Sequence, residues 1–286
     1  MEYTTLGRTG REVSRIGFGG APAGLRNYLG AFDPARPDDR GAVVEAIGKA
    51  LELGVNYFDT APGYGDGASE AIFGEALARQ RPEGLFLATK VGVGEGGSVR
   101  ASLEASLKRL RRDWIDLLQL HGTAYSAEQA DLVLRKGGYL DQMEALRDEG
   151  LIRHVGFTCE ASNVPLQQFL DTGRFDVIQM CYNLIFQHPY DPGWQSGCFY
   201  DAEARQMGIV TMRSTTSGIF QKWVRMVNPD DDFDYTPALI QFQLSNALVD
   251  VALIGMRRVE EVIDNAAVCD DRSGRIDLKE LFRRYV

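Results

Sequence analysis

The chain has 286 residues, 44% apolar and 25% charged, enough to bury a large core and close to the ~250 residues of one α/β barrel. Its net charge of −9 argues against a general nucleic-acid-binding role, which needs a basic face. No run reaches the ~18 apolar residues of a membrane span, and the four cysteines (Cys159, Cys181, Cys198, Cys269) form no C-x-x-C pair, which argues against a zinc site or a disulfide frame.

In chain order, residues 1–15 are charged and broken by glycine, with no apolar stretch of the signal-peptide kind. A cytoplasmic protein with reduced thiols is expected. Runs 2–6 and 11–15 flank Gly7-Arg8-Thr9-Gly10 and predict an N-terminal β-hairpin. Strand-like runs then recur at 16–19, 55–58, 85–89, 115–120, 154–157, 177–181, 209–212 and 251–254. Helical patterns fall between and after them, at 39–53, 68–80, 98–111, 139–149, 162–172, 199–207, 236–247 and 258–268. Alternating strand and helix implies a parallel sheet wrapped by helices, and eight such units predict a closed (β/α)8 TIM barrel. No Gly-x-Gly-x-x-Gly follows an early strand, which disfavours an open dinucleotide-binding sheet. Without a low-complexity linker, residues 1–286 are expected to form a single domain, with residues 276–286 a short helix covering one end of the barrel.

Three long connections, 21–38, 184–198 and 213–235, leave the carboxyl ends of strands, the face where barrel enzymes build their sites. They carry Tyr28, Phe32, Phe186, Tyr190, Trp194, Phe220, Trp223 and Phe233. Rings around one mouth suggest an apolar substrate pocket, with Tyr28, Phe32, Trp194 and Trp223 as candidate substrate contacts; the same rings can equally pack loops onto the barrel.

The strand ends carry the chemistry. The second strand stops at Asp59, the third at Lys90 and the fourth at His121, while Tyr64 sits just past Asp59 between two glycines. A barrel brings these ends to one rim. A phenol titrates near ~10 and needs a neighbouring ammonium to exchange protons readily. A carboxylate holds that ammonium, and an imidazole can orient a carbonyl oxygen. The set suits protonation of an oxygen that gains negative charge, and it lacks a hydride source, so a cofactor must supply one.

The stretches GVNYFDTAPGYGDGASEAIFGEAL, LATKVG and LRRDWIDLLQLH, in that order, resemble the aldo-keto reductases, and the resemblance runs from the hairpin to about Val268. It implies a (β/α)8 barrel that binds NADPH or NADH, needs no metal and passes hydride between nicotinamide and an aldehyde or ketone. Asp59, Tyr64, Lys90 and His121 match the family tetrad, with Tyr64 as proton donor, Lys90 and Asp59 tuning it, and His121 orienting the carbonyl. For the cofactor, the resemblance implies Thr158 and Cys159, where the family often has Ser-Asn, Gln179, and Met212, where a nicotinamide-stacking tyrosine often stands. Arg213 and Ser214 continue that segment. After the last strand, Gly255 falls at the family's lysine and Glu261 at its phosphate-binding arginine. Met256, Arg257 and Arg258 lie between them, and Asp264 and Asn265 match the adenine-binding pair. The acid at 261 would repel a 2′-phosphate and the two arginines would compensate. NADP(H) is therefore favoured, with NAD(H) as the alternative.

The leading expectation is an oxidoreductase acting on a small carbonyl, alcohol or sugar. A cofactor-binding regulatory barrel with little turnover is the alternative from another class. A metal-dependent barrel enzyme would need a histidine–carboxylate cluster, and only His121 of the three histidines ends a strand at the expected catalytic rim. Substrate, direction and oligomeric state are not readable from the chain.

Overall fold

The computed structural model describes residues 1–80, 84–94 and 97–285, so Val286 of the expected terminal helix lies outside the described residues. The hairpin forms from β1 (Tyr3–Thr5) and β2 (Glu12–Ser14), paired antiparallel. Eight parallel strands follow: β3 (Ile16–Gly19), β4 (Tyr57–Asp59), β5 (Phe86–Gly92), β6 (Ile115–His121), β7 (Ile152–Cys159), β8 (Val177–Cys181), β9 (Gly208–Met212) and β10 (Val251–Gly255). They close in the order β10-β3-β4-β5-β6-β7-β8-β9, sealed where Ala252 pairs with Ile16. The expected (β/α)8 barrel with its N-terminal hairpin is thus present.

Two apolar layers hold it together. Alternate strand residues (Tyr57, Phe86, Ala88, Leu117, Val177, Val210, Val251, Leu253) fill the barrel, and Leu6 and Val13 of the hairpin join them from below. Hairpin and barrel meet closely: Arg8 N–H donates to Gln206 O, and Leu6 packs where a side chain at Gly208 would stand. The opposite strand faces pack outward against the helices, which bury residues such as Val43, Ile47, Leu103 and Leu140. Burial of this kind contributes roughly 25 cal/mol per Å² of apolar surface.

The helices are α1 (Ala21–Gly24), α2 (Pro37–Glu52), α3 (Ala68–Gln80), α4 (Val99–Leu110), α5 (Ala127–Leu134), α6 (Tyr139–Asp148), α7 (Val164–Asp171), α8 (Cys198–Ala204), α9 (Ile219–Val227), α10 (Thr236–Leu244), α11 (Val259–Asp270) and α12 (Leu278–Tyr285). Helices α1, α5 and α9 lie in stretches where the sequence predicts only loops. For α5 the signal was present: Ser126 and Gln129 form a capping box, each side chain bonding the other's backbone N–H.

The expected terminal helix forms as α12, against α10 and the segment after β8. Arg275 is anchored to Glu2 at 3.0 Å and Ile276 N–H donates to Ser245 Oγ at 2.9 Å, low on α10. Leu278, Leu281 and Phe282 then face an apolar cavity shared with Tyr182, Leu184 and Phe242. No helix among the described residues is long and apolar enough to cross a membrane.

Candidate active site

The carboxyl ends of β4, β5 and β6 meet because parallel neighbours are staggered around a barrel: Asp59 pairs with Ala88, Lys90 with Gln119, and Gly92 with His121. Lys90 Nζ donates to Asp59 Oδ1 at 2.5 Å and to Thr60 O at 2.9 Å. The ion pair is almost completely buried, with side chains 1% and 2% exposed. Lys90 Nζ also sits 4.8 Å from the centre of the Tyr64 ring, and the Tyr64 and His121 rings meet edge to face, centroids 5.6 Å apart. Asp59, Tyr64, Lys90 and His121 therefore surround one cleft of about 310 Å³.

The loop that carries Tyr64 is fixed by backbone contacts. Tyr64 N–H donates to Ala61 O, and Gly67 N–H to Pro62 O. Gly65 adopts φ +69°, and a Cβ on it would fall 2.1 Å from Gly24 O; a Cβ on Gly24 would fall 2.1 Å from Tyr64 O. Only glycine fits at either position, so the α1 segment and the tyrosine loop touch backbone to backbone. Ser69 ties the two sides further, accepting from Thr60 Oγ1 at 2.8 Å and donating to Gly20 O at 2.9 Å.

Burial is the largest influence on each charge. It pulls the Lys90 ammonium toward neutrality, but Asp59 and Tyr64 outweigh it and the pKa rises. Burial lifts the Asp59 carboxyl, opposed by Lys90, Gln119 and Gln179. It also lifts the Tyr64 phenol, against the lowering effect of Lys90. The sequence-based expectation of a more acidic phenol is thus reversed: Lys90 limits the rise without overturning it. Tyr64 is protonated at neutral pH, the form that can donate.

Burial, then the Lys90 charge, pushes the His121 imidazole down to about 4. It is neutral through the physiological range and can donate one N–H. A histidine whose folded pKa lies below its usual 6.5 costs stability as pH falls from that value toward 4, because the unfolded chain binds the proton more readily. His121→Gln is expected to flatten this acid-side loss, read as urea midpoints near pH 7 and near pH 5. An unchanged slope would assign the loss to His154 and His188, which burial also lowers.

The expected cofactor residues divide. Thr158, Gln179, Met212, Arg213, Ser214 and Gly255 line the same cleft. Thr158 spends its hydroxyl on Gly122, donating to O at 2.8 Å and accepting from N–H at 3.0 Å. Gln179 acts on Asp59 and its Nε2 lies 3.8 Å from Met212 Sδ, while its buried Oε1 has no partner. Arg213 is paired with Glu160 at 2.8 Å. Cys159 faces away from the cleft into the core, donating to Ala161 O and Thr123 O, and Met256 is fully buried.

At the start of α11, Glu261 turns back to accept from the N–H groups of Arg257 and Arg258 at 2.7 and 3.3 Å and pairs with the Arg258 guanidinium at 2.8 Å. Arg257 is committed elsewhere: it donates to Pro22 O and Tyr28 O and lies over the Phe32 ring. Asp264 is exposed on α11, and Asn265 is buried behind it.

Of the candidate substrate aromatics, Tyr28 lines the cleft and contacts Ser217 Oγ at 3.3 Å. Phe32 is core, packed against Arg257. Trp194 is 86% exposed beside α12, away from the cleft, and Trp223 is 55% exposed on α9. Gln119, outside the set expected from the sequence, donates to Asp59 Oδ2 at 3.0 Å. A signal existed: it is the lone amide in the apolar run of β6, two residues before His121 and so on the same face. Among the described residues no cluster of three or more His, Cys, Asp or Glu is arranged to hold a metal.

The model of the Aldo/keto reductase family matches residues 15–252. The chain is 29% identical to L-galactose dehydrogenase of Arabidopsis thaliana, the match covering 93% of this chain and 88% of that protein. It is 30% identical to the NADH-specific methylglyoxal reductase of Escherichia coli, over 65% of this chain and 60% of that one. The fold resembles that of an aldo/keto reductase from Klebsiella pneumoniae solved with NADP and acetate, at TM-score 0.72 and 21% identity, over 99% of this chain and 94% of that one.

Proposed function

Because the chain belongs to the aldo/keto reductase family, we propose that it is an NAD(P)H-dependent oxidoreductase, interconverting a small aldehyde, ketone or sugar with its alcohol or oxidised form, through Asp59, Tyr64, Lys90 and His121. The observation that carries the proposal is the buried Lys90–Asp59 pair facing Tyr64 and His121 across one cleft.

The cleft suits a nicotinamide. Its lining includes one unpaired buried acceptor, Gln179 Oε1, which matches a carboxamide N–H, and the Met212 thioether lies next to it. When bound, the dinucleotide supplies or accepts the hydride. The chain's own residues do the rest. His121, neutral, directs its N–H at the substrate oxygen. Tyr64 delivers its proton to that oxygen as negative charge develops there, and Lys90 stabilises the phenolate left behind. Asp59 holds Lys90 in place and keeps it charged. Run backwards, the phenolate takes the proton from an alcohol.

NADP(H) is placed ahead of NAD(H) because a related structure holds NADP, and the exposed Arg258 is the arginine that would hold a 2′-phosphate, Arg257 being committed to Pro22 and Tyr28; the NADH-specific relative keeps NAD(H) open. Glu261 is the opposing group, since its carboxylate occupies the α11 N-terminus and neutralises Arg258. Glu261→Arg is expected to improve NADPH affinity relative to NADH by about tenfold, the scale of one added charge-assisted contact, read by fluorescence titration of each cofactor. An unchanged ratio would place Glu261 away from the 2′ position.

The sugar end of the substrate range is favoured by the likeness to L-galactose dehydrogenase, which extends over most of both chains. A screen of aldehydes, ketones and sugars, with both cofactors and in both directions, followed at the nicotinamide absorbance, tests the assignment. Cofactor binding with no turnover on any substrate would favour a regulatory barrel instead.

A further inference from the structure

Gln119 is fully buried on β6, with its Cα opposite Lys90 on one side and Gly156 on the other. Below it the barrel is filled by apolar side chains, Leu117 among them, while at its own level stand Asp59, Lys90 and Gln179. An amide in such a place costs stability unless both its ends are satisfied. Only one is. Nε2 donates to Asp59 Oδ2 at 3.0 Å, while Oε1 is buried with no partner. Turning the amide over would not help, because Oε1 would then face the carboxylate, acceptor against acceptor. The orientation is fixed by chemistry.

The strand beside it makes room for this side chain. A Cβ on Gly156 would stand 2.8 Å from Val177 O, 3.1 Å from Leu117 Cδ1 and 3.3 Å from Gln119 Cγ. A side chain on β7 at this level would strike Val177 O first and would also crowd the amide's stem. The barrel thus gives up a packing position and carries an unpaired oxygen in order to keep one N–H on one carboxylate oxygen. An aliphatic side chain would fill the space without that cost.

The structure assigns Gln119 a positioning role: by holding Asp59 Oδ2 it leaves Oδ1 alone to Lys90, and so fixes the ammonium where it acts on Tyr64. This rests on the proposed role of Tyr64. Asp59 then has a separate donor for each oxygen, Lys90 at 2.5 Å and Gln119 at 3.0 Å. Without the amide, Oδ2 keeps only the weaker influence of Gln179 and competes with Oδ1 and Thr60 O for the ammonium, which is drawn toward the acid and away from the phenol. Tyr64 loses part of the only influence that opposes its burial.

Gln119→Met, close in shape and without a donor, is the direct test. Two measurements are taken. The first needs neither cofactor nor substrate: tyrosinate absorbance titrated in each background and subtracted from that of its Tyr64→Phe partner, which isolates Tyr64. The midpoint is expected to move upward by about one pH unit. The second is steady-state turnover, where kcat is expected to fall about tenfold, the scale of one hydrogen bond to a charged group, with both KM values held within about twofold.

Gln119→Glu supplies a rescue. As pH falls, a protonated carboxyl at this position can donate to Asp59 as the amide did, so kcat in this variant is expected to climb toward acid while that of Gln119→Met does not. A Tyr64 midpoint unmoved in Gln119→Met overturns the proposal, whether or not the fold is weakened, because a filler of barrel space would change stability alone. If the wild-type chain turns over no substrate, the Tyr64 assignment fails on its own, and a shifted midpoint would still support the clamp on Asp59.

Discussion

Tyr64→Phe is expected to lower turnover by about 10²–10⁴-fold, the range of a positioned proton donor, while leaving cofactor affinity within about twofold. The hydroxyl is the group lost. The ring remains, with its edge on His121 and its face under Lys90, so the cleft keeps its shape. The pH profiles should change with it. Burial has lifted the phenol above its usual 10. Reduction, which needs the protonated form, should therefore stay level through neutral pH and decline only on the alkaline side. Oxidation, which needs phenolate, should rise with pH. In Tyr64→Phe both dependences should vanish along with the rate. The checks are fluorescence titration of the cofactor and initial rates across pH in both directions. A variant that keeps its turnover would remove Tyr64 from the chemistry and leave the cleft to be explained by binding.

Lys90→Met is expected to cost more in stability than any other single change at the site, about 3–5 kcal/mol, because it leaves the Asp59 carboxylate buried without its cation. The wild-type contribution has a definite pH window. Since the pKa of Lys90 lies above its ordinary 10.5, the contribution is full at neutral pH and is lost only as pH climbs past that value. Turnover should fall as well, because the phenol keeps its burial and loses the charge that opposes it. The double variant Asp59→Asn/Lys90→Met separates the two effects. Removing both charges should recover most of the stability and none of the turnover, measured by denaturant unfolding and initial rates. A double variant as unstable as Lys90→Met alone would mean that the cost comes from packing rather than from a stranded charge.

The alternation of strand and helix, and the polar residues that end β4, β5 and β6, are local signals, and the sequence carried them plainly. Asp59, Lys90 and His121 end runs that can be read within ten residues on either side. What the sequence hid depends on partners far along the chain. Arg257 seemed free for a phosphate, but it donates to Pro22 and Tyr28, more than 220 residues away. Cys159 and Thr158 are adjacent, yet strand pleating sends one to the cleft and the other to the core. Phe32 and Trp194 are both aromatics of long loops; one is buried under a guanidinium and the other lies open to water. Composition does not distinguish them, because the sorting is done by what arrives from elsewhere. Gln119 is the reverse case: its place on the His121 face could be read locally, but its purpose appears only once Asp59 stands beside it.

The hairpin that floors the barrel bears on how the chain assembles during synthesis. Leu6 and Val13 are made long before much of what they rest on, which includes Val210 and Val251 and the backbone around Gly208. Until those later strands are made, this stopper has no complete bottle. A nascent chain must carry two bare aliphatic side chains past some two hundred residues of growth, so the foundation of the molecule is among the last of its parts to be laid.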